Sequence, residues 1–329
     1  MASKLIMWIL ISWCSLLALS AATWFQFWVI LELSTIFFLP VLSSSSVASK
    51  GRLWLYYLIQ AIGSGLFLAF SALGSWGAVA ELSSQPSSFG ANFVVILSLV
   101  LKLSAPPFHL WGVQVSESLS WGQFFSLNIL MKIPPLAASW KVLGMVELDS
   151  LGVWVLFSLL VLSSGLSEES LRRFLTYSSS MNVVWALMAS AESDLISSFY
   201  FFMYGLSFLG LTQLLKEGSC SMIQDLFLKS LWSLTSFSLM TSVMMTMGLP
   251  PLATFWVKVK VLSGLASLSS WLSASLMFLS VLFVLIYFWI LIISFLSMKS
   301  WAKLHSESLS LSSLSGTILS IFMSVAFAL

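Results

Sequence analysis

Charge is what this chain has least of. Only 14 basic and 12 acidic residues stand among its 329, 8% in all, against about 25% in ordinary soluble domains. A soluble fold of this size would need far more polar residues to cover its surface. The formal net charge of +2 is too small to suggest nucleic acid or an acidic partner. Cysteine is equally scarce. Cys14 and Cys220 cannot make up a metal cluster, both lie in or beside apolar segments, and a disulfide between them is disfavoured. Long polar connections are missing as well. The longest are residues 76–90 and 216–230, and neither can house a soluble domain. Activity must therefore sit within a membrane or come from partner subunits.

What the chain has instead is apolar sequence. It is 59% hydrophobic, with a mean hydropathy of +1.02. Runs of roughly 20 apolar residues, the length a bilayer requires, recur from end to end. They predict an all-α membrane protein with about eleven transmembrane helices, at residues 5–20, 23–42, 53–75, 91–112, 121–142, 151–166, 171–190, 195–215, 231–262, 271–298 and 309–329. The first run has no small-residue cleavage site and a second follows at once, so it reads as a permanent span. Serines within the spans read as packing and hydrogen-bonding groups. Gly63 and Gly65 sit in mid-helix apolar sequence, which favours close helix packing over nucleotide binding.

Basic residues segregate. One side carries Lys4, Lys50, Arg52, Arg172, Arg173, Lys216, Lys229, Lys299 and Lys303, while the other carries at most Lys141 and Lys260 with Glu81, Glu147, Asp149, Glu192 and Asp194. The positive-inside bias puts the N-terminus on the matrix or cytoplasmic side. An odd number of spans puts the C-terminus opposite.

Four charges lie where they should not: Glu32, Lys102, Lys132 and Lys258. Glu32 is about nine residues into its span, or roughly 14 Å deep. On insertion scales each such charge costs about 2.5–3.5 kcal/mol, so four unpaired charges would cost about 10–14 kcal/mol. Pairing and internal water must offset most of that. The bland alternatives are lysines snorkelling to the interface and a structural hydrogen bond for Glu32. The functional alternative is an ion or proton route. Desolvation disfavours the charged form of both residue types, which brings them toward proton exchange near neutral pH, whereas arginine would hold its proton.

Proline pairs break two of the spans. Lys102 precedes Ser104-Ala105-Pro106-Pro107, and Lys258 follows Gly248-Leu249-Pro250-Pro251. Proline removes a backbone donor, and within lipid the freed groups must be satisfied by protein or water. The breaks fall on the fourth and ninth spans. They therefore occupy matching places if the chain is two inverted five-helix repeats, at residues 1–142 and 143–300, with a C-terminal transmembrane helix at 301–329. Paired broken helices of this kind mark transporter cores. His109, just past the first break, has two readings: a proton relay, or a hydrogen bond to the broken backbone. His305, in a charged loop, reads as solvated.

Several stretches together resemble a known family. They are Trp28-Val29-Ile30-Leu31-Glu32-Leu33, Lys102 to Trp111, Leu130-Met131-Lys132-Ile133-Pro134-Pro135-Leu136, Leu171 to Ser179, and Gly248 to Lys258. In this order the chain resembles the antiporter-like membrane subunits of respiratory complex I, specifically subunit 2 of the NADH dehydrogenase. The resemblance covers most of the chain and is weakest after about Leu262. It implies a proton-pumping core subunit in the mitochondrial inner membrane, with Glu32, Lys102, Lys132 and Lys258 as the relay and His109 as an additional candidate. It also implies partners among the other membrane-arm and accessory subunits, with membrane lipids around them. It implies no cofactor in this chain, since NADH, FMN, iron–sulfur clusters and ubiquinone belong to partner subunits. Bacterial members carry three more helices in front, and this chain starts where the shorter animal form starts. A cation/proton antiporter subunit is the alternative, and a purely structural subunit a third reading. Asn182 stands where relatives often have histidine, Thr254 where glycine is common, Val257 where proline is common, and Gln114 where an acid is usual.

Overall fold

The computed structural model describes residues 2–43, 50–74, 89–143, 158, 164–165, 168–223, 225, 233–250 and 252–296. These residues are helical almost throughout, with an isolated antiparallel bridge between Ser170 and Met222. The helices are α1 (Ala2–Ser20), α2 (Trp24–Ser43), α3 (Lys50–Gly74), α4 (Phe89–Lys102), α5 (Leu110–Ser116), α6 (Trp121–Asn128), α7 (Ile133–Leu143), α8 (Leu171–Ser190), α9 (Asp194–Glu217), α10 (Ser233–Met247), α11 (Ala253–Leu268) and α12 (Ser270–Leu296). The expected span at 309–329, and with it the proposed last helix, lies outside the described residues, as does the expected span at 151–166 apart from residues 158 and 164–165.

Three of these helices are long and apolar enough on their own to cross a bilayer, over Trp24–Ser43, Lys50–Ser71 and Asp194–Glu217. The expected fourth and ninth spans are each two helices, α4 with α5 and α10 with α11. The expected fifth span is also interrupted: α6 and α7 are joined through a 3₁₀ turn at Leu130–Lys132. Pro134 and Pro135 then occupy the first turn of α7, where a missing backbone donor matters least.

The outer surface is apolar. Ile9, Trp13 and Leu16 of α1, Trp54 and Ile62 of α3, and Phe278 and Leu285 of α12 are all more than half exposed. In water such a surface would be an association hazard; in lipid it is the expected face. The interior is polar by comparison. In α8 every residue from Phe174 to Ser190 is buried, although the run includes Thr176, Ser178, Ser179, Ser180 and Asn182. A helix buried on all sides needs no amphipathic stripe. α8 packs against α5, α6, α7, α9 and α11, and is the central post of the bundle. Span serines mostly bond back to their own helix, as Ser34 does to the Leu31 carbonyl (2.9 Å), Ser98 to Val95 (2.6 Å) and Ser207 to Tyr204 (2.7 Å).

Ion pairs group as the loop charges do. Glu117 bonds both Arg173 (2.8 Å) and Arg52 (3.2 Å), and Arg173 also reaches Glu168 (3.6 Å). On the opposite charge set, Lys141 meets Asp194 at 3.9 Å.

Candidate functional site

The first break begins as a helix C-cap. α4 stops because Ser104 turns left-handed, at φ 51°, a conformation that costs an L-residue about 1–2 kcal/mol. The Ser104 N–H then donates to Leu101 O (3.3 Å), Ala105 N–H to Val100 O (3.1 Å), and Phe108 N–H to Ala105 O (2.9 Å). This is the Schellman pattern. Side chains supply further donors. Trp111 Nε1 donates to Leu101 O (3.0 Å), Gln60 Nε2 to Lys102 O (3.3 Å), and Ser180 Oγ of α8 to Ser104 O (2.8 Å). The freed carbonyls of Lys102 and Ser104 are thus met by protein, as lipid demands.

The second break repeats the backbone pattern of the first. Gly248 is left-handed at φ 77°. Its N–H is shared between Met245 O (3.2 Å) and Met244 O (3.1 Å), while Leu249 N–H donates to Met244 O (3.3 Å) and Leu252 N–H to Leu249 O (3.0 Å). Met245 O also accepts from Thr254 Oγ1 (2.7 Å), as Leu101 O does from Trp111. In both breaks the left-handed residue stands two before the first proline. The two breaks are thus equivalent, but their lysines are not. Lys102 is two residues before its left-handed residue, where the second break has Thr246. Lys258 is ten residues after its own, where the first has Gln114, which is exposed.

All three lysines are buried, with Lys102 4%, Lys132 3% and Lys258 6% exposed, and His109 is 7% exposed. None of the lysines snorkels to the surface. Lys258 Nζ donates to Met247 O (2.7 Å), which the break has freed, and lies 5.2 Å above the Trp185 ring. Gly248 makes room for it: a Cβ there would come within 3.0–3.1 Å of Lys258 Cδ, Cε and Nζ. Gly63 plays the same part for Lys102, since a Cβ there would sit 2.8 Å from Lys102 Cγ. Lys132 Nζ donates to Ser179 Oγ (2.9 Å), and Ser179 in turn donates to Asn128 Oδ1 (2.6 Å).

Lys102 and Lys132 are brought together. Both line one narrow cavity of about 10 Å³, room for about a single water, with Ser34, Thr35, Tyr56, Gln60 and Ser104 supplying further polar groups. Lys102 Nζ has no hydrogen-bond partner among the described residues. Glu32, partly buried on α2, makes no ion pair within 4.0 Å among the described residues, yet its carboxylate is near enough to act electrostatically on Lys102 and Tyr56. Lys258 does not line that cavity. His109 lies against the Pro107 carbonyl and 5.6 Å from the Tyr177 ring, and its Nδ1 has no hydrogen-bond partner among the described residues. Asn182 is an acceptor for Tyr200 OH (2.7 Å) and a donor to Ser178 O (2.9 Å).

Sequence reasoning missed Ser179, Asn128, Gln60 and Trp185 as partners of the lysines. Ser179 lies within the Tyr-Ser-Ser stretch that carries the family resemblance, the one sequence signal near it.

Three buried lysines in or against helix interruptions, with a carboxylate near one of them, stand inside a helical membrane protein with an apolar outer face. Residues 21–285 match the family model described as NADH:quinone oxidoreductase/Mrp antiporter, TM, and the chain belongs to that family. Among curated proteins it is similar to NADH-ubiquinone oxidoreductase chain 2 of Artemia franciscana, 25% identical over 283 residues that cover 85% of this chain and 83% of that protein. It is 28% identical to the same-named protein of Hylobates lar over 258 residues, 74% of this chain and 71% of that one. Among solved structures it resembles a chain of respiratory complex I from Thermus thermophilus at a TM-score of 0.87 and 17% identity, covering 99% of this chain and 79% of that one. It also resembles a chain of the Mrp complex from Dietzia sp. DQ12-45-1b at a TM-score of 0.77 and 16% identity, over 98% and 74% of the two chains. These likenesses establish the helical fold of the family's membrane subunits.

Proposed function

We propose that this chain is a proton-translocating core subunit in the membrane arm of an animal mitochondrial NADH:ubiquinone oxidoreductase. Glu32 and Lys102 form the first station, Lys132 the centre and Lys258 the far station of a proton relay driven by redox chemistry in partner subunits. The observation that carries this reading is the shared cavity. Two buried cations lining one polar space repel each other, so a proton gained at one disfavours a proton at the other. A hydrogen bond from Lys132 to α8 then leads toward the second half of the chain. His109 stands beside this path as an auxiliary donor or acceptor.

The matched breaks support two inverted repeats at 1–142 and 143–300, followed by a last helix at 301–329 and making eleven spans. The ion-pair grouping supports the loop assignment, with the N-terminus in the matrix and the C-terminus in the intermembrane space. On this reading NADH, FMN, iron–sulfur clusters and ubiquinone are bound by other subunits, and this chain contacts membrane-arm subunits and lipid.

Membranes carrying Lys132→Ala or Lys258→Ala should assemble the complex but pump fewer protons per NADH oxidised. Unchanged pumping in both would sink the relay. The likeness to an Mrp complex chain favours one second reading, a cation/proton antiporter subunit. Coupled Na⁺/H⁺ exchange by the isolated chain in liposomes, with no NADH-oxidising complex co-purifying, would select it.

A further inference from the structure

Lys258 does not line the cavity that Lys102 and Lys132 share, and Asn182 is held between Tyr200 and the Ser178 carbonyl. Another set of polar groups fills the interval between Lys132 and Lys258. Ser179 accepts from Lys132 at 2.9 Å. Tyr204 of α9 directs its hydroxyl at Ser178 and Ser179. Tyr287 of α12 directs its own at Ser178 and Thr246. Thr246 is chain neighbour to Met247, whose carbonyl accepts from Lys258 at 2.7 Å. Tyr204 and Tyr287 are 1% and 0% exposed.

The two tyrosines differ from every other hydroxyl in this interval. Ser178, Ser179 and Thr246 each donate to a backbone carbonyl or to Asn128, and Tyr200 donates to Asn182. Tyr204 and Tyr287 make no hydrogen bond within 3.5 Å among the described residues, although Ser178, Ser179 and Thr246 lie near their hydroxyls. A buried hydroxyl left without a partner destabilises the fold, whereas phenylalanine would fill the same space without that penalty. The rings are already held by packing: Tyr287 meets Phe174 and Phe283 edge-on at 5.0 Å, and Tyr204 lies 5.5 Å from Phe208. The hydroxyls are therefore not needed to place the rings.

We infer that Tyr204 and Tyr287 are proton-carrying residues that join Lys132 to Lys258, turning between the fixed hydroxyls of Ser178, Ser179 and Thr246. In each hop a phenol oxygen accepts a proton on a lone pair while its own O–H proton leaves to the next oxygen or to a water bridging the gap. The hydroxyl is restored, and rotation resets it. No net charge stays on the tyrosine. The inference rests on the lysine relay proposed above.

The test uses the intact complex in sealed membranes, with Tyr204→Phe, Tyr287→Phe, the double variant, Lys132→Ala and Lys258→Ala measured together. The double variant should assemble at the normal level, turn over several-fold more slowly under coupled conditions, and show an enlarged solvent deuterium isotope effect. Tyr287→His, which restores a group able to pass a proton, should recover part of the rate; a merely structural tyrosine would gain nothing from it. If the double variant fails to assemble, the single variants carry the same isotope readout. Impaired lysine variants beside tyrosine variants with normal turnover, proton yield and isotope effect would overturn this inference and leave the relay standing. Normal pumping in the lysine variants would overturn the relay itself.

Discussion

Gly248→Ala tests whether the second break is an obligatory conformation. Gly248 holds φ 77°, and an L-residue in that region costs about 1–2 kcal/mol. The added methyl group also meets Lys258 Cδ, Cε and Nζ at 3.0–3.1 Å, so the lysine must move. Its bond to Met247 O, now 2.7 Å, is the contact it would lose, and a hydrogen bond to a charged group contributes about 1.5–3 kcal/mol. Together these give a destabilisation of about 2.5–5 kcal/mol. The midpoint of thermal inactivation of the purified complex should drop, and pumping by the surviving complex should fall toward that of Lys258→Ala. Ser104→Gly is the counterpart at the equivalent place. It relieves the φ 51° strain and should cost little or raise the midpoint. A Gly248→Ala complex with normal midpoint and normal pumping would refute the argument that this backbone conformation holds Lys258 in place.

Gly63→Ala should displace the Lys102 stem, whose Cγ would lie 2.8 Å from the new methyl group, whereas Gly65→Ala meets nothing within 4 Å and should gain up to about 1 kcal/mol of helix propensity; paired midpoint and pumping measurements separate the two. Ser179→Ala removes the acceptor of Lys132 and the donor to Asn128, so it should reduce coupled turnover while Ser139→Ala, whose hydroxyl only bonds back to Leu136 O, leaves it near normal. Glu117→Gln removes ion pairs to arginines whose side chains are 35% and 39% exposed, so the loss should be under about 1 kcal/mol and should shrink as salt rises. A salt-independent loss would mean that the pair is less solvated than its exposure indicates.

Much of this was legible in the sequence for local reasons. The seventh span, expected at 171–190, is α8 to the residue, because Ser170 and the polar turn after Ser190 bracket an uninterrupted helical run. The two breaks were legible because Pro-Pro acts on its own backbone and on the residue before it. The same signal stands at Pro134-Pro135, but apolar residues continue on both sides, and run length alone hides the 3₁₀ turn at Lys132. The deep lysines were visible as anomalies of composition. Their partners were not, because Ser179 lies 47 residues from Lys132 and Gln60 lies 42 from the carbonyl it caps. Nothing in one sequence marks such a pairing. Spacing suggested that the breaks match, with Lys102 before one and Lys258 after the other, but it could not show that both are built on the same backbone hydrogen bonds.

The central helix has a mechanical consequence. Along its length α8 is stitched to α5–α7 and the segments between them: Arg173 to Glu117, Thr176 to Ser116 (3.0 Å), Ser179 to Asn128 and Lys132, and Ser180 to the Ser104 carbonyl. A carrier that works by swinging one half of the bundle against the other needs a slippery plane between them. This seam is a ladder of directional bonds running from the ionic face to mid-depth, and a swing of several ångströms would break all its rungs at once. Ions that need a wide vestibule opening to each side in turn are poorly served by so stiff a joint. The proton relay proposed above, which works by small rotations of hydroxyls and ammonium groups, is compatible with it.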